Sequence, residues 1–382
     1  MPLIDRLVLA DFRGYRELEA AFEPGPQLVW GPNAAGKTSL LEAIVLLAWG
    51  RSHRTTSDGE LIRWATDVAR VEGTIGHEVV EVGVVRTGAS GSGGRKRIRV
   101  NGVGRRASTL ASLLRVVVFA PEEMLLIAGA PGLRRAAIDQ LAASRSPIYA
   151  DALATYGRVL QQRNGLLRAI RDETASRDEL RFWDGAFLDA GGQIVAERLR
   201  LLDELASPLA AAHAEIAPEE GAEAALTVRS VTNAPALPGE TPRDALERRL
   251  VETAEKEIWN GSTLVGPHRD DIVFELAGRD LAAFASRGQQ RTAILAFKLA
   301  ELDLLTAFDG RPPLLLLDDV FSELDPERRS HLVRRIAALP QAFVTTTTLD
   351  DLDPALRAVA HHWEVRADAA GARLVGGAGV TG

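Results

Sequence analysis

Hydrophobic and polar positions alternate, then recur at spacings of three and four, then alternate again, which marks an α/β chain with a helical middle. Residues 3–9 and 18–22 read as short strands, followed by the turn composition Pro24-Gly25-Pro26 and the apolar run Gln27-Leu28-Val29-Trp30. Leu40-Leu41-Glu42-Ala43-Ile44-Val45-Leu46-Leu47 then predicts a helix over residues 38–48. Alternation predicts strands at 69–75 and 79–85 around Gly76-His77, and a flexible glycine-rich loop at 88–94. A strand at 95–100 closes on the turn Asn101-Gly102, and a buried strand at 115–120 ends at Pro121. From Arg134 to about residue 212 the period is helical, as in Leu153, Tyr156, Leu160, Leu167 and Ile170. The charged stretch 171–178 divides this run into two helices forming an antiparallel arm. No heptad is sustained, so the arm is not a long coiled coil.

Beyond the arm, residues 213–241 read as loop with a strand at 226–231, and a helix covers 243–259. Strand and turn character returns at 263–284, and a strong helical run spans 292–308. Leu314-Leu315-Leu316-Leu317 predicts a strand buried on both faces, hence parallel and central. A helix at 326–339, a strand at 342–347 and a modest tail follow, with residues 376–382 expected to be disordered.

Chemistry enters at Gly31-Pro32-Asn33-Ala34-Ala35-Gly36-Lys37-Thr38-Ser39, set between a predicted strand and a predicted helix. That is the context a phosphate-binding P-loop requires. Gly31 and Gly36 let successive backbone N–H groups, Asn33 included, point inward at a phosphate, helped by the positive end of the helix. Lys37 reaches the β- and γ-phosphates of a triphosphate, and Thr38, followed by Ser39, offers a hydroxyl to Mg²⁺. Asp318 and Asp319 end the buried leucine strand, where carboxylates are costly unless a metal or hydrogen bonds compensate. Asp318 is the expected Mg²⁺ ligand, and Asp319 the group that orients or deprotonates the attacking water.

Composition narrows the class. At 382 residues the chain is too long for one ordinary core, and 46% hydrophobic and 25% charged residues suit a globular protein. The start, Met1-Pro2-Leu3-Ile4-Asp5, has no secretory pattern, and no apolar run is long enough for a membrane span. A cytoplasmic protein with no membrane partner is expected. With no cysteine, disulfides, thiolate metal sites and cysteine nucleophiles are excluded. The net charge of −7 hides an asymmetry: residues 86–115 carry eight basic and no acidic side chains. On the strand at 95–100, Arg95, Arg97 and Arg99 share one face. That face reads either as a charge-protected edge strand or as a contact surface for a phosphate backbone.

Ser286-Arg287-Gly288-Gln289 stands at a helix start ahead of the acidic strand. It resembles the signature of ABC-type ATPases, which implies contact in trans with the γ-phosphate held by a second copy. Ser322-Glu323-Leu324-Asp325 resembles the loop that crosses that dimer interface, through Ser322 and Asp325. Several segments together resemble the RecF family of recombination mediators, related to SMC heads. They are Leu9-Ala10-Asp11-Phe12-Arg13-Gly14-Tyr15, the P-loop, and Pro121-Glu122 through Gly129-Ala130-Pro131 to Arg134-Arg135 and Ile138-Asp139. Gly266-Pro267-His268-Arg269-Asp270-Asp271 and the segment 317–325 complete the set, which spans nearly the whole chain.

The resemblance implies a P-loop ABC/SMC-type ATPase head, a mixed sheet with flanking helices, split by an α-helical arm insertion. Residues 1–139 and 262–382 form the two parts of the head, and 140–261 the arm. It also implies an ATP-dependent homodimer binding double-stranded DNA at gap junctions, and cooperation with RecR and RecO to load RecA. Two departures from ABC ATPases point to slow, switch-like hydrolysis. Asp319 replaces a glutamate, and Thr345-Thr346-Thr347-Thr348 stand where a switch histidine would follow its strand. The alternative is an ABC transporter subunit or another SMC-like ATPase. Arg134-Arg135 opposes the dipole at its helix start and calls for an anionic partner, and His268 reads as a hydrogen-bonding residue near the nucleotide or the interface.

Overall fold

The computed structural model describes residues 3–87, 93–220, 225–321, 324, 326–369 and 371–376. The last residues expected to be disordered, 377–382, and positions 88–92 of the glycine-rich loop lie outside that set. The chain divides into two compact units, Met1–Met124 with Lys298–Gly382, and Leu125–Phe297. The expected arm, 140–261, falls inside the second.

In chain order the first unit opens with β1 (Ile4–Phe12), β2 (Tyr15–Ala21), β3 (Gly25–Trp30) and α1 (Lys37–Trp49). It continues with β4 (Val68–Ile75), β5 (Glu78–Thr87), β6 (Gly93–Val100), β7 (Val103–Gly104) and β8 (Val116–Phe119). The second unit holds α2 (Pro131–Arg145), α3 (Pro147–Arg171), α4 (Leu180–Ile216), β9 (Leu226–Val231), α5 (Pro242–Asn260), β10 (Asp271–Leu276), β11 (Arg279–Asp280) and α6 (Leu281–Phe284). α7 (Arg287–Asp309) gives residues 287–297 to the second unit and 298–309 to the first. The first unit is completed by β12 (Leu314–Asp318), α8 (Pro326–Ala337), β13 (Gln341–Thr346), α9 (Pro354–Val359), β14 (His361–Asp368) and β15 (Gly371–Gly376).

Two six-stranded sheets build the first unit. One is antiparallel, in the order β2-β1-β4-β5-β6-β7. The other runs β15-β14-β3-β13-β12-β8 and is parallel except for its edge strand β15. β12 is buried along its whole length and pairs in parallel on both sides, as a run of four leucines requires. α1 is buried at every position from Leu40 to Ala48, because it packs against strands of both sheets. Each fully buried leucine or isoleucine there contributes about 1.5–3 kcal/mol. Among the buried charges, the Lys298 ammonium lies 2.7 Å from Glu123 and 3.2 Å from Glu301.

The sequence undercounts the end of the chain. Residues 361–376, read as tail, form β14 and β15, and β14 extends the sheet beside β3. Half-buried edge positions give little alternation, but Trp363 fixes the pairing by donating its indole N–H to Gln27 Oε1 at 2.8 Å.

In the second unit α3 and α4 form the expected hairpin across residues 172–179. The helical run is broken once more than its periodicity shows, at Ser146-Pro147. The Ser146 hydroxyl accepts from Tyr149 N–H and Pro147 takes the first helical position, so a new helix starts there. Ion pairs hold the second unit together. Arg198 grips Asp139 with two bonds of 2.7 and 2.9 Å, and Arg134 grips Asp271 at 2.9 and 2.8 Å. Arg134 also donates to the carbonyls of Ile127 and Gly129. The anion that Arg134 calls for is therefore internal.

Candidate nucleotide-binding site

The loop after β3 leaves the sheet through Gly31, whose φ is 151°. A Cβ there would stand 2.3 Å from the Val365 carbonyl oxygen of β14, so only glycine lets the loop pass. Ala34 and Gly36 also take positive φ, 63° and 117°, and Gly36 caps α1. The first turn of α1 carries no acidic residue, so its exposed N–H groups and dipole favour an anion. Lys37 folds back over the loop and donates to Gly31 O at 2.7 Å and Pro32 O at 3.0 Å. Burial lowers its pKa from the ordinary lysine value, against the carboxylates of Asp319 and Asp318, which raise it.

The acidic pair arrives from the end of β12, separated from β3 by β13. Asp318 is buried and accepts a 2.6 Å hydrogen bond from the Thr345 hydroxyl. The same hydroxyl oxygen accepts from Asp319 N–H at 3.0 Å, and Asp319 takes a φ of 53°. Thr345, from β13, thus orients both acidic residues. It stands where the sequence shows no switch histidine, and the signal for it was the four-threonine run.

These elements enclose a cavity of about 300 Å³. Asn33, Gly36, Lys37, Thr38 and Ser39 line one side with Ala34, and Asp318 and Asp319 line the other; Gly31 stands behind, as acceptor for Lys37. Thr38 and Asp318 on a common cavity suit Mg²⁺, which takes few protein ligands and completes its shell with phosphate oxygens and water. No cluster of three or more metal-binding His, Asp or Glu side chains exists among the described residues.

Arg54 and Pro121 also line the cavity, and the sequence singles out neither as a site residue. Arg54 is held 3.5 Å from Glu42 and 3.7 Å from Glu122. Glu42 is fully buried in α1. Burial pushes its carboxyl up, but hydrogen bonds from Arg13 and Ser52, with Arg13 and Arg54 close by, bring it below the ordinary carboxylate range.

Ser286, Arg287, Gly288 and Gln289 open α7 within the second unit. Ser286 Oγ accepts from Gln289 N–H at 3.2 Å, and Gln289 Oε1 accepts from Ser286 N–H at 3.1 Å. The segment is therefore a reciprocal capping box, with Ser286, Arg287 and Gly288 exposed. Ser322 and Asp325 lie outside the described residues. On β6 the guanidinium groups of Arg95, Arg97 and Arg99 share the exposed face, as alternation requires. Arg99 pairs with Glu81 of β5 at 3.2 Å, and Lys96 on the other face with Asp58 at 2.8 Å. Arg95 and Arg97 have no ion-pair partner among the described residues.

A P-loop on a parallel strand, an acidic pair one strand away and an antiparallel side sheet define a P-loop head of the ABC/SMC type. A family model described as RecF/RecN/SMC N terminal domain matches residues 3–362. The DNA replication and repair protein RecF of Chloroflexus aggregans is 40% identical over 385 residues, covering 95% of this chain and 97% of that protein. RecF of Halalkalibacterium halodurans is 37% identical over 353 residues, covering 92% and 94%. A solved structure of the recombination mediator protein RecF-ATP in the RecFOR pathway superposes with a TM-score of 0.84 at 28% identity, covering 97% of each chain. The Smc head domain of Pyrococcus furiosus shares the fold at a TM-score of 0.53 and 16% identity, covering 98% and 96%. The chain belongs to the RecF family.

Proposed function

We propose that this chain is an ATP-dependent DNA-binding protein of recombinational repair, and a weak DNA-dependent ATPase. The observation that carries the reading is the single cavity on which Lys37, Thr38, Asp318 and Asp319 converge. The α1 N-terminus and Lys37 bind the triphosphate, Lys37 exchanging the carbonyls of Gly31 and Pro32 for phosphate oxygens. Mg²⁺, held by Thr38 and Asp318, would neutralise charge on those oxygens. Asp319 orients the attacking water and accepts its proton. The exposed face of the capping box, Ser286 to Gln289, caps the γ-phosphate bound by a second copy, with Ser322 and Asp325 at the same interface. ATP therefore drives a homodimer, and hydrolysis releases it.

The names of the relatives support the biological setting. On this reading the dimer closes on double-stranded DNA next to single-stranded gaps, in the cytoplasm. There it acts with RecR and RecO to load RecA. The exposed arginines of β6 belong to the DNA surface. Among the described residues no helix is long and apolar enough to cross a membrane.

Sedimentation with and without ATP and a gapped duplex tests the reading. The wild-type chain should shift to a dimer with ATP, and Lys37→Met should lose both ATP binding and the shift. A Lys37→Met chain that still dimerises with ATP would refute the site.

A further inference from the structure

Trp64 is 91% exposed, at a tight turn between residues 63 and 66 of the first unit. The turn is built, not loose. Thr66 N–H donates to Arg63 O at 3.2 Å, and Ala65 takes a positive φ of 65°. Arg63 is tied to Asp11 through its backbone N–H and through a 2.8 Å side-chain bond. Such backbone, sparsely populated for a residue other than glycine, holds the largest apolar side chain in water.

The turn joins the end of the antiparallel sheet where β6 begins. Thr66 O accepts from Arg86 Nε at 3.2 Å, and Asp67 O accepts from Arg86 N–H. The next row across the exposed face is Val68, Val85 and Arg95, and the one beyond it Arg70, Gly83 and Arg97. Val68 and Val85 are 52% and 45% exposed, and a Cβ on Gly83 would meet nothing. Beside the aromatic tip this face is thus a small apolar patch of Val68, Val85 and Gly83, bordered by Arg95 and Arg97 with no ion-pair partner among the described residues, while Arg70 is paired with Glu72 and Glu81. Its occupant should offer a flat apolar face beside negative charge. Arg95 and Arg97 are exposed cations on this face, which favours a polyanion over a neutral protein surface.

We propose that Trp64 is the group by which this chain tells a duplex end or gap junction from continuous duplex. Its indole stacks on a base left uncovered at the junction, while Arg95 and Arg97 hold neighbouring phosphates. The inference rests on the DNA-binding reading above. Continuous duplex hides every base face inside its stack, so an aromatic tip gains nothing from it. A junction exposes a face, and stacking on one base is worth about tenfold to a hundredfold in affinity whatever the sequence. The arginine contacts go to phosphates common to both DNAs and respond to salt instead.

The test is binding of the full chain, with ATP, to a labelled continuous duplex and to a gapped duplex of the same sequence. Trp64→Ala should lose about tenfold or more of the preference for gapped DNA while keeping its affinity for continuous duplex. Trp64→Phe should retain most of the preference. Arg95→Gln with Arg97→Gln should weaken both DNAs alike and flatten the salt dependence. An unchanged preference in Trp64→Ala, or an equal loss on both DNAs, would overturn the role of Trp64 and leave the DNA-binding reading standing. A preference that survives while the mutant changes oligomeric mass without DNA would make the surface a protein contact and overturn it too. A wild-type chain that binds neither DNA would overturn both readings.

Discussion

Thr345 shows how much one hydroxyl can organise. It donates to the buried Asp318 carboxylate and accepts from the backbone of Asp319, so it sets the position of both acidic residues at once. Thr345→Val keeps the shape and removes both bonds. Leaving a buried carboxylate short of a donor costs about 1–3 kcal/mol. The expected outcome is a chain that still binds ATP and turns it over more slowly, by single-turnover phosphate release. Unchanged turnover would leave Thr345 a packing residue. In the sequence only the four-threonine run marks it, and its role is not legible there because its partners lie 26 and 27 residues away. Lys37 and Asp318, by contrast, announce themselves through spacing and through the cost of charge at the end of an apolar strand.

At the scale of elements, the start of α7 carries a structural and a proposed functional role on the same four residues. The capping box alone makes Ser286 worth about 1 kcal/mol to the helix. Ser286→Asp preserves a capping oxygen but adds a negative charge to the exposed face. Thermal melting should therefore change little, whereas ATP-dependent dimerisation should fall at least tenfold by sedimentation. A mutant that dimerises normally would leave the segment with its capping role only. The elements themselves were legible in proportion to their burial pattern. β12 and α1 read clearly, since long apolar runs admit few alternatives. β14 and β15 did not, since few of their positions are buried and β14 is anchored by a distant partner, Gln27 of β3. The Ser146-Pro147 break was visible as a cap and a proline, but the apolar period runs through it.

At the scale of the whole molecule, the segments that carry the family resemblance divide into two kinds. The P-loop and acidic strand build the cavity, whereas Arg134, Arg135, Asp139, Asp270 and Asp271 tie the second unit together. His268 belongs to the second kind, hydrogen-bonded to the Tyr156 hydroxyl at 2.7 Å. Burial, aided by nearby arginines and opposed by the Thr263 carbonyl, lowers its pKa to about 4. The unfolded chain therefore binds this proton first as pH falls. The neutral histidine contributes its full stability above about pH 6.5, and that contribution is lost as pH falls toward 4. Denaturant titrations should show the wild-type advantage over His268→Gln shrinking by about 2 kcal/mol between pH 7.5 and pH 5. Parallel curves would mean that the imidazole titrates normally.

The sheet order β3-β13-β12 has a consequence for the way the chain is made. The loop after β3 leaves the ribosome early and the acidic pair on β12 much later, and β13, Gln341–Thr346, which lies between their strands, emerges later still. With adjacent strands about 4.8 Å apart, that late strand sets the two halves roughly 10 Å apart. A nascent chain thus carries its most recognisable motif for most of its synthesis without a finished pocket. Nucleotide can act as a check on completeness only once nearly the whole polypeptide has emerged.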